Sequence, residues 1–352
     1  MIFQTYPLIK IAITLSCDIH RICFGLIGFS SLRLFRIAPG LETCMFSAMF
    51  QRFYFDHVIM ERAAYLRRQG VETLSSEVQN FVYIPTWQDK NLIREGGEPA
   101  AVFVRGDDAR WLKENSTLMT FLGIEGSTAY YGADISHLED PGLADLPDGT
   151  LFEDLRRLAT AIDNKTAGYL AYARALAHWN RNQLYCGSCG AVTESRKSGH
   201  ERLCTNDICG RSHFPRTDPA VIMLVTHPNE EKCLLGHNKR FEGLRFSTVA
   251  GFVEPGESLE HAVAREVKEE TGVDITDITY QASQPWPFPA SIMLGFRAKG
   301  TTTVINCIDE ELVEARWFTR DEVREMGGAR DMLPPAQFSI SRWLIDAWLD
   351  EV

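Results

Sequence analysis

Two carboxylates one helical turn apart, both turned toward the apolar side of their helix, are the side chains in this sequence best placed to do chemistry. They lie in Gly251–Val273, where Pro255 and Gly256 break structure, Ser258 can cap a helix and Gly272 can end one in the left-handed conformation. In steps of about 100° from Leu259, Val263 falls at about 40°, Val267 at about 80°, Glu266 at about 340° and Glu270 at about 20°, with His261 and Lys268 on the far side. Two ionised groups held so close on an apolar face repel each other and lose hydration unless something positive joins them. Oxygen donors of this kind suit a hard divalent cation, magnesium or manganese, and such ions neutralise phosphate oxygens. Glu269 flanks the pair at about 280° and can add a ligand. Glu257 enters from the preceding loop, and Arg265 can orient a neighbouring carboxylate. The plainer alternative, a solvated acidic helix with i,i+4 charge pairs, would set the acids opposite the apolar stripe rather than along it.

A second constellation is Cys186-Gly-Ser-Cys189 followed, after a hairpin's length of chain, by Cys204-Thr-Asn-Asp-Ile-Cys209. Four thiolates brought to one point are the tetrahedral set of a structural zinc ion, one per chain, closed to substrate and serving stability. The wider spacing of Cys204 and Cys209 predicts a looser second knuckle. Two disulfides are the competing reading, disfavoured in a chain whose expected compartment is the cytoplasm. Cys233 and Cys307 read as ordinary buried thiols.

The third is Ser283-Gln284-Pro285-Trp286-Pro287-Phe288-Pro289-Ala290-Ser291, prolines alternating with aromatic rings. Prolines stiffen backbone and rings offer flat faces, so the segment predicts a rigid platform for stacking a base, with Gln284 and Ser291 adding hydrogen bonds. Bracing the core is its bland alternative.

The stretch Gly251–Val273 resembles the Nudix box at each of its fixed positions. The nine-residue segment from Ser283, the four cysteines and the approach Ala173–Tyr185 are similar to the NADH pyrophosphatase branch of the Nudix hydrolases. The resemblance is strong over residues 150–350, weak over 50–150 and absent over 1–44. It implies an α/β fold, the Nudix α/β/α sandwich with a mixed sheet, and metal-dependent hydrolysis of the pyrophosphate of NADH, and less efficiently NAD⁺, to nicotinamide mononucleotide and AMP. Carried across by position, Glu266 and Glu270 become ligands of magnesium or manganese with Glu269 beside them. The Ala250 carbonyl and the distal acid Glu311 complete the set, and one carboxylate of the Glu269–Glu270 pair takes the proton from water. Glu201, the Ser341 backbone and Phe214 become substrate contacts, together with Gln284 to Ser291. Phe214 stands where many relatives have tyrosine, so stacking is kept and a hydroxyl lost. The resemblance also implies a homodimer. A related substrate is the NAD cap of RNA, which offers the same bond; a catalytically idle zinc-ribbon binding module is the alternative from another class.

The chain must provide elements that hold these groups. Its 352 residues, 45% apolar and 24% charged, suffice for several cores. The net charge of −11 argues against broad electrostatic binding to nucleic acid and leaves room only for a local basic patch. Residues 1–48 read as an upstream misassigned start or a disordered extension, with Met45 and Met49 as later starts; the apolar runs there are too short and too interrupted for a membrane span or a signal peptide. Residues 49–180 are expected to form a small mixed α/β domain, beginning with a short helix in Phe53–Arg68. It has strands at Phe81–Pro85, Ala101–Val104, Phe121–Gly123 and Ala129–Tyr131, and closes on a helical run from Leu151 to Gln183 broken near Asp163. Residues 181–213 form the ribbon and 214–352 the hydrolase domain, with strands at Ala220–Val225, Lys232–His237, Phe246–Gly251, Ala290–Arg297 and Ala315–Phe318 and a final amphipathic helix around Ile340–Trp348.

Overall fold

Along Asp218–Thr226 the side chains alternate between two cores, Val221, Met223 and Val225 facing one and Ile222 and Leu224 the other. A strand buried on both sides belongs at the centre of a sheet with helices on each face. In the computed structural model the described residues are 53–56, 58, 60–68, 78–158, 161–240, 243–307, 311–328, 332–335 and 338–351. The extension expected over residues 1–48, with its alternative starts, lies outside them.

Two sheets are wound the same way. The first contains β1 (Asn80–Trp87), β2 (Lys90–Arg94), β3 (Val104–Arg105), β4 (Leu118–Glu125), β5 (Thr128–Asp134) and β6 (Thr150–Asp154), in the order β4-β5-β1-β2-β6 with β3 pairing β1. Three short strands follow, β7 (Thr193–Arg196), β8 (Glu201–Cys204) and β9 (Ser212–His213), and form the ribbon. The second large sheet contains β10 (Asp218–Thr226), β11 (Lys232–Asn238), β12 (Val249–Phe252), β13 (Ile275–Trp286), β14 (Ser291–Gly300) and β15 (Leu312–Thr319), in the order β13-β14-β10-β11-β15 with β12 pairing β10. Each strand of one sheet thus has a counterpart in the other. The parallel pair β1–β5 answers to β10–β14, and the other pairs in both sheets are antiparallel.

The helices correspond too. In the first domain α1 (Arg110–Asn115) follows β3 and packs Leu112 with Tyr83, Phe121 and Tyr131, while α2 (Leu155–Leu158) and α3 (Asn164–Asn182) cover the other face with Leu158, Tyr169 and Leu170. In the second, α4 (Leu259–Thr271) follows β12 and buries Ala262, Val263 and Val267 against Val221 and Met223. There α5 (Arg320–Gly328) and α6 (Ile340–Leu349) cover the opposite face with Val323, Leu344 and Ile345. The expected α/β/α sandwich is therefore present, and the amino-terminal domain repeats its winding. None of the helices described is long and apolar enough to cross a membrane.

One local expectation fails and one is refined, both through strand pairing. Residues 150–154 form β6 rather than the start of a helix, because Lys90–Arg94 supplies an antiparallel partner from Lys90↔Asp154 to Arg94↔Thr150. Gln284, Pro285 and Trp286 end β13 as an edge strand paired with β14, so only the second half of the proline-aromatic segment is turn. Proline is tolerated there because an edge strand leaves one side of its backbone unpaired. Within Phe53–Arg68, the described residues show only a single turn of 3-10 helix at Leu66–Arg68.

Candidate active site

Helix α4 begins where the Ser258 hydroxyl accepts from the His261 amide at 3.2 Å and ends at Gly272, whose φ of +72° is the left-handed cap the sequence called for. Between these ends the acids take the positions their spacing dictates. Glu270 is buried at 4% exposure, and the Glu266 side chain is 13% exposed against 51% for Glu269. Arg265 organises the set. Its Nε and Nη2 reach the two oxygens of Glu257 at 2.6 and 2.9 Å, and its Nη1 donates to Glu266 at 2.8 Å and Glu269 at 2.9 Å. A further bond from Nη2 to the Phe252 carbonyl at 2.9 Å ties helix to strand β12.

Glu266 lies directly against that strand. A Cβ on Gly251 would overlap its Cδ and both carboxylate oxygens, so only glycine leaves the space. Burial is the main reason its carboxyl is held above the usual range; the charges of Glu269 and Glu311 add to the effect and Arg265 opposes it. Hydrogen bonds from Arg265 and from the Glu254 amide pull Glu257 the other way, down to about 2. Glu257, Glu266 and Glu269 thus share a single guanidinium, with Glu270 buried one turn on from Glu266 and Glu311 near enough to Glu266 to be felt. An all-oxygen, net-negative, partly dehydrated set of this kind fits a hard divalent cation.

The four cysteine sulfurs of the ribbon lie within 4.8 Å of one another, with Cys186 to Cys209 at 3.8 Å and Cys189 to Cys204 at 3.4 Å. Four sulfurs each about 2.3 Å from a zinc ion are about 3.8 Å apart, so the cluster fits one. The wider second knuckle closes because the Asn206 side chain accepts from the amides of Ile208 and Cys209. Backbone amides of Ser188 and Cys189 lower the Cys186 thiol to about 5, favouring the thiolate a metal needs.

The remaining sequence-predicted residues divide. Ala290 and Ser291, with Pro285, Trp286 and Pro287, line a cavity of about 270 Å³ against α3. Phe214 is 60% exposed with the Lys197 ammonium 5.8 Å from its ring centre. Phe288 is buried in an edge-to-face cluster with Phe55, Trp286 and Phe338, and the Arg156 and Arg174 guanidinia lie 4.6 and 4.8 Å from its centre. Its ring braces two domains rather than offering a free face, and the Phe288–Pro289 peptide is cis. Gln284 is fully buried; it donates to the carbonyls of Tyr54 and Phe338 at 3.3 and 3.0 Å and accepts from the Ile340 amide at 2.8 Å, so its amide is engaged with the chain itself. Glu201 accepts from Ser212 at 2.5 Å and pairs with Lys197 inside the ribbon. The Ser341 hydroxyl is buried and accepts from the Thr248 amide and hydroxyl at 3.2 and 2.9 Å, tying α6 to the residues just before Ala250. Sequence reasoning passed over Phe252, the residue after Gly251, whose ring is 60% exposed; its aromatic type beside the motif's opening glycine was the available signal.

The NUDIX domain family matches residues 216–344, and the family described as NADH pyrophosphatase-like rudimentary NUDIX domain matches residues 82–179. The second description accords with the repeated winding of the two sheets. The chain is 39% identical over 240 residues to the NAD-capped RNA hydrolase NudC of Mycobacterium bovis, covering 65% of this chain and 74% of that protein. It is 38% identical over 239 residues to the protein of that name from Stutzerimonas stutzeri, covering 68% and 81%. With human NAD-capped RNA hydrolase NUDT12 it shares 40% over 197 residues, 53% of this chain but only 43% of the human protein, so it spans less than half the length of that relative. Fold, acids and relatives agree, and the chain belongs to the Nudix hydrolase family. Within it, the rudimentary domain ahead of the hydrolase domain and the four-cysteine ribbon place it in the NADH pyrophosphatase branch.

Proposed function

We propose that this chain hydrolyses the pyrophosphate bond of NADH, and less efficiently of NAD⁺, giving the nicotinamide mononucleotide and AMP. The observation that carries the reading is the pair Glu266 and Glu270, the second buried and the first pressed against Gly251, with an exposed ring, Phe252, at the next residue. Magnesium or manganese held by Glu266, Glu270, Glu311 and the Ala250 carbonyl would neutralise the diphosphate and make an attacking water more acidic. Water adds to one phosphorus, the bridging P–O bond breaks, and the other phosphate leaves with the electron pair. One carboxylate of the Glu269–Glu270 pair takes the proton from water. Arg265 fixes Glu257, Glu266 and Glu269 relative to β12, so the acids are positioned before substrate arrives. Phe214 and Phe252 are the rings open to a base, and Ser291 and Ala290 border the substrate segment. Cys186, Cys189, Cys204 and Cys209 hold one zinc ion per chain that stabilises the ribbon. The reading carries with it a cytoplasmic homodimer.

The names of the relatives favour a second substrate, the NAD cap of RNA, on which the same bond is cut by the same groups. The test of the common chemistry is AMP release from NADH with magnesium or manganese. Glu270→Gln is expected to lower turnover by about 10²–10⁴-fold while leaving the fold intact. A folded variant with a near-normal rate would overturn the assignment.

A further inference from the structure

We propose that Phe55 is a positioning residue for substrate binding: from the start of the first domain it holds the tip of the β13–β14 hairpin, where Ala290 and Ser291 border the substrate. The inference rests on the hydrolase reading and goes past it, since it places part of the control of substrate affinity in a residue outside the hydrolase domain.

The tip needs an outside hold. β13 and β14 pair as far as Trp286↔Ser291, and beyond that pair the chain turns through residues 287–290. Pro287 and Pro289 have no N–H to give, so the turn draws little support from its own backbone. The Phe288 amide donates to the Trp286 carbonyl at 2.8 Å, and the Ala290 carbonyl accepts from the Asp218 amide at 2.8 Å. Asp218 opens β10, and two residues further along that strand Ala220 pairs with Phe252 on β12. The tip therefore hangs from the strand that also carries Gly251, and its placement is left to the packing of its rings.

Phe55 supplies that packing. Its ring is 2% exposed and lies edge to face with Phe288 at 5.5 Å, with Phe338 at 5.9 Å and with Trp286 at 6.3 Å. Aromatic contacts of this geometry are directional and fix orientation as well as distance. The strap that carries the ring is itself fastened. The Tyr54 carbonyl accepts from Gln284 at 3.3 Å, and Phe53, 3% exposed, enters the core of the second domain edge-on to Trp343 at 5.5 Å.

In extended backbone residues 53 and 55 would share one face. Here the Phe53 amide donates to the Asp56 carboxylate at 3.2 Å, Phe55 turns at a φ of +74°, and the two rings enter different cores. A bulky side chain keeps left-handed backbone only where its surroundings enforce it, and residues so held cluster where position matters to function. Two equally buried rings thus stand two residues apart, Phe53 against Trp343 of α6 and Phe55 against the tip. The pair separates a positioning role from a merely structural one.

The experiment uses the full chain and measures KM and kcat on NADH with magnesium, together with the urea midpoint, for the wild type, Phe55→Ala and Phe53→Ala. Both variants are expected to unfold at lower urea, since each empties a buried site. Only Phe55→Ala is expected to raise KM, by about tenfold, with kcat within about twofold of the wild type, because the acids on α4 stay where they are. Phe55→Leu and Phe53→Leu keep most of the apolar volume and carry the same comparison if an alanine variant fails to fold, with KM expected to rise about threefold in the Phe55 variant alone. A KM raised equally at both positions or at neither, or a fall in kcat at unchanged KM in the Phe55 variants, overturns the inference and leaves the hydrolase reading standing. A wild type inactive on NADH would instead bring down the hydrolase reading itself.

Discussion

The Glu266 carboxylate occupies the space that a side chain on residue 251 would need. The glycine that opens the motif is therefore a contact surface for a proposed metal-binding acid as much as a turn residue. Gly251→Ala is expected to displace Glu266 and lower turnover on NADH by about 10²-fold, the cost of misplacing a reacting group by about an ångström. Combining it with Glu266→Gln should add little further loss, because both changes remove one interaction. Full additivity in the double variant would show that Gly251 acts elsewhere.

Gln284 is read differently by sequence and by structure, and the two roles separate by measurement. As a clamp on the Tyr54, Phe338 and Ile340 backbone, its loss leaves buried donors and acceptors unpaired. Gln284→Ala is expected to destabilise the fold by about 2–3 kcal/mol with KM for NADH unchanged. A raised KM at unaltered thermal stability would restore it as a substrate contact.

His200 joins the ribbon to the first sheet, its Nε2–H donating to the Phe121 carbonyl at 2.7 Å. Burial first, and then the charges of Arg67 and Arg62, hold its pKa down to about 4 from 6.5. The folded protein thus resists a proton that the unfolded chain accepts. The stability this gives is complete above pH 6.5 and is lost as pH falls toward 4. The loss is on the order of 2–3 kcal/mol. Urea unfolding of the wild type and His200→Gln at several pH values should show the steeper decline in the wild type; parallel curves would refute the linkage.

Zinc removal should be felt beyond the ribbon. The Asn180 side chain of α3 donates to the Gly199 carbonyl at 2.9 Å, so the ribbon is fastened to the helix that covers the first sheet. Cys204→Ser is expected to lose bound zinc and to lower the melting temperature of the whole chain, read by metal content and by calorimetry. An unchanged melting temperature in a zinc-free protein would show that the ribbon stands apart.

The box helix and the cysteine cluster were legible in the sequence because their information is local: a repeat of about one turn, a capping serine, a terminal glycine, paired thiols. The proline-aromatic segment was only half legible. Its partners Phe55 and Phe338 lie far off in the chain, and they turn Phe288 from a platform into a brace. Residues 151–154 carry helix-like spacing that Leu92 and Ile93 override by offering a strand to pair with, while Leu155–Leu158 stays helical. Least visible was the kinship of the two domains. The helix that answers to α4 in the first domain has shrunk to Arg-Trp-Leu-Lys-Glu-Asn, and of the acids only Glu114 remains on it. Kinship survives in the winding of the strands, which no residue pattern records.

That shared winding gives each position in the working half a silent counterpart in the other. Relieved of chemistry, the amino-terminal copy is free to drift in sequence provided it keeps its handhold on its sibling through Phe55 and α3. It is also a blank frame: transplanting the thirteen residues of Leu259–Thr271 onto the site of Arg110–Asn115 would ask how little besides a properly loaded helix separates a wall from an enzyme.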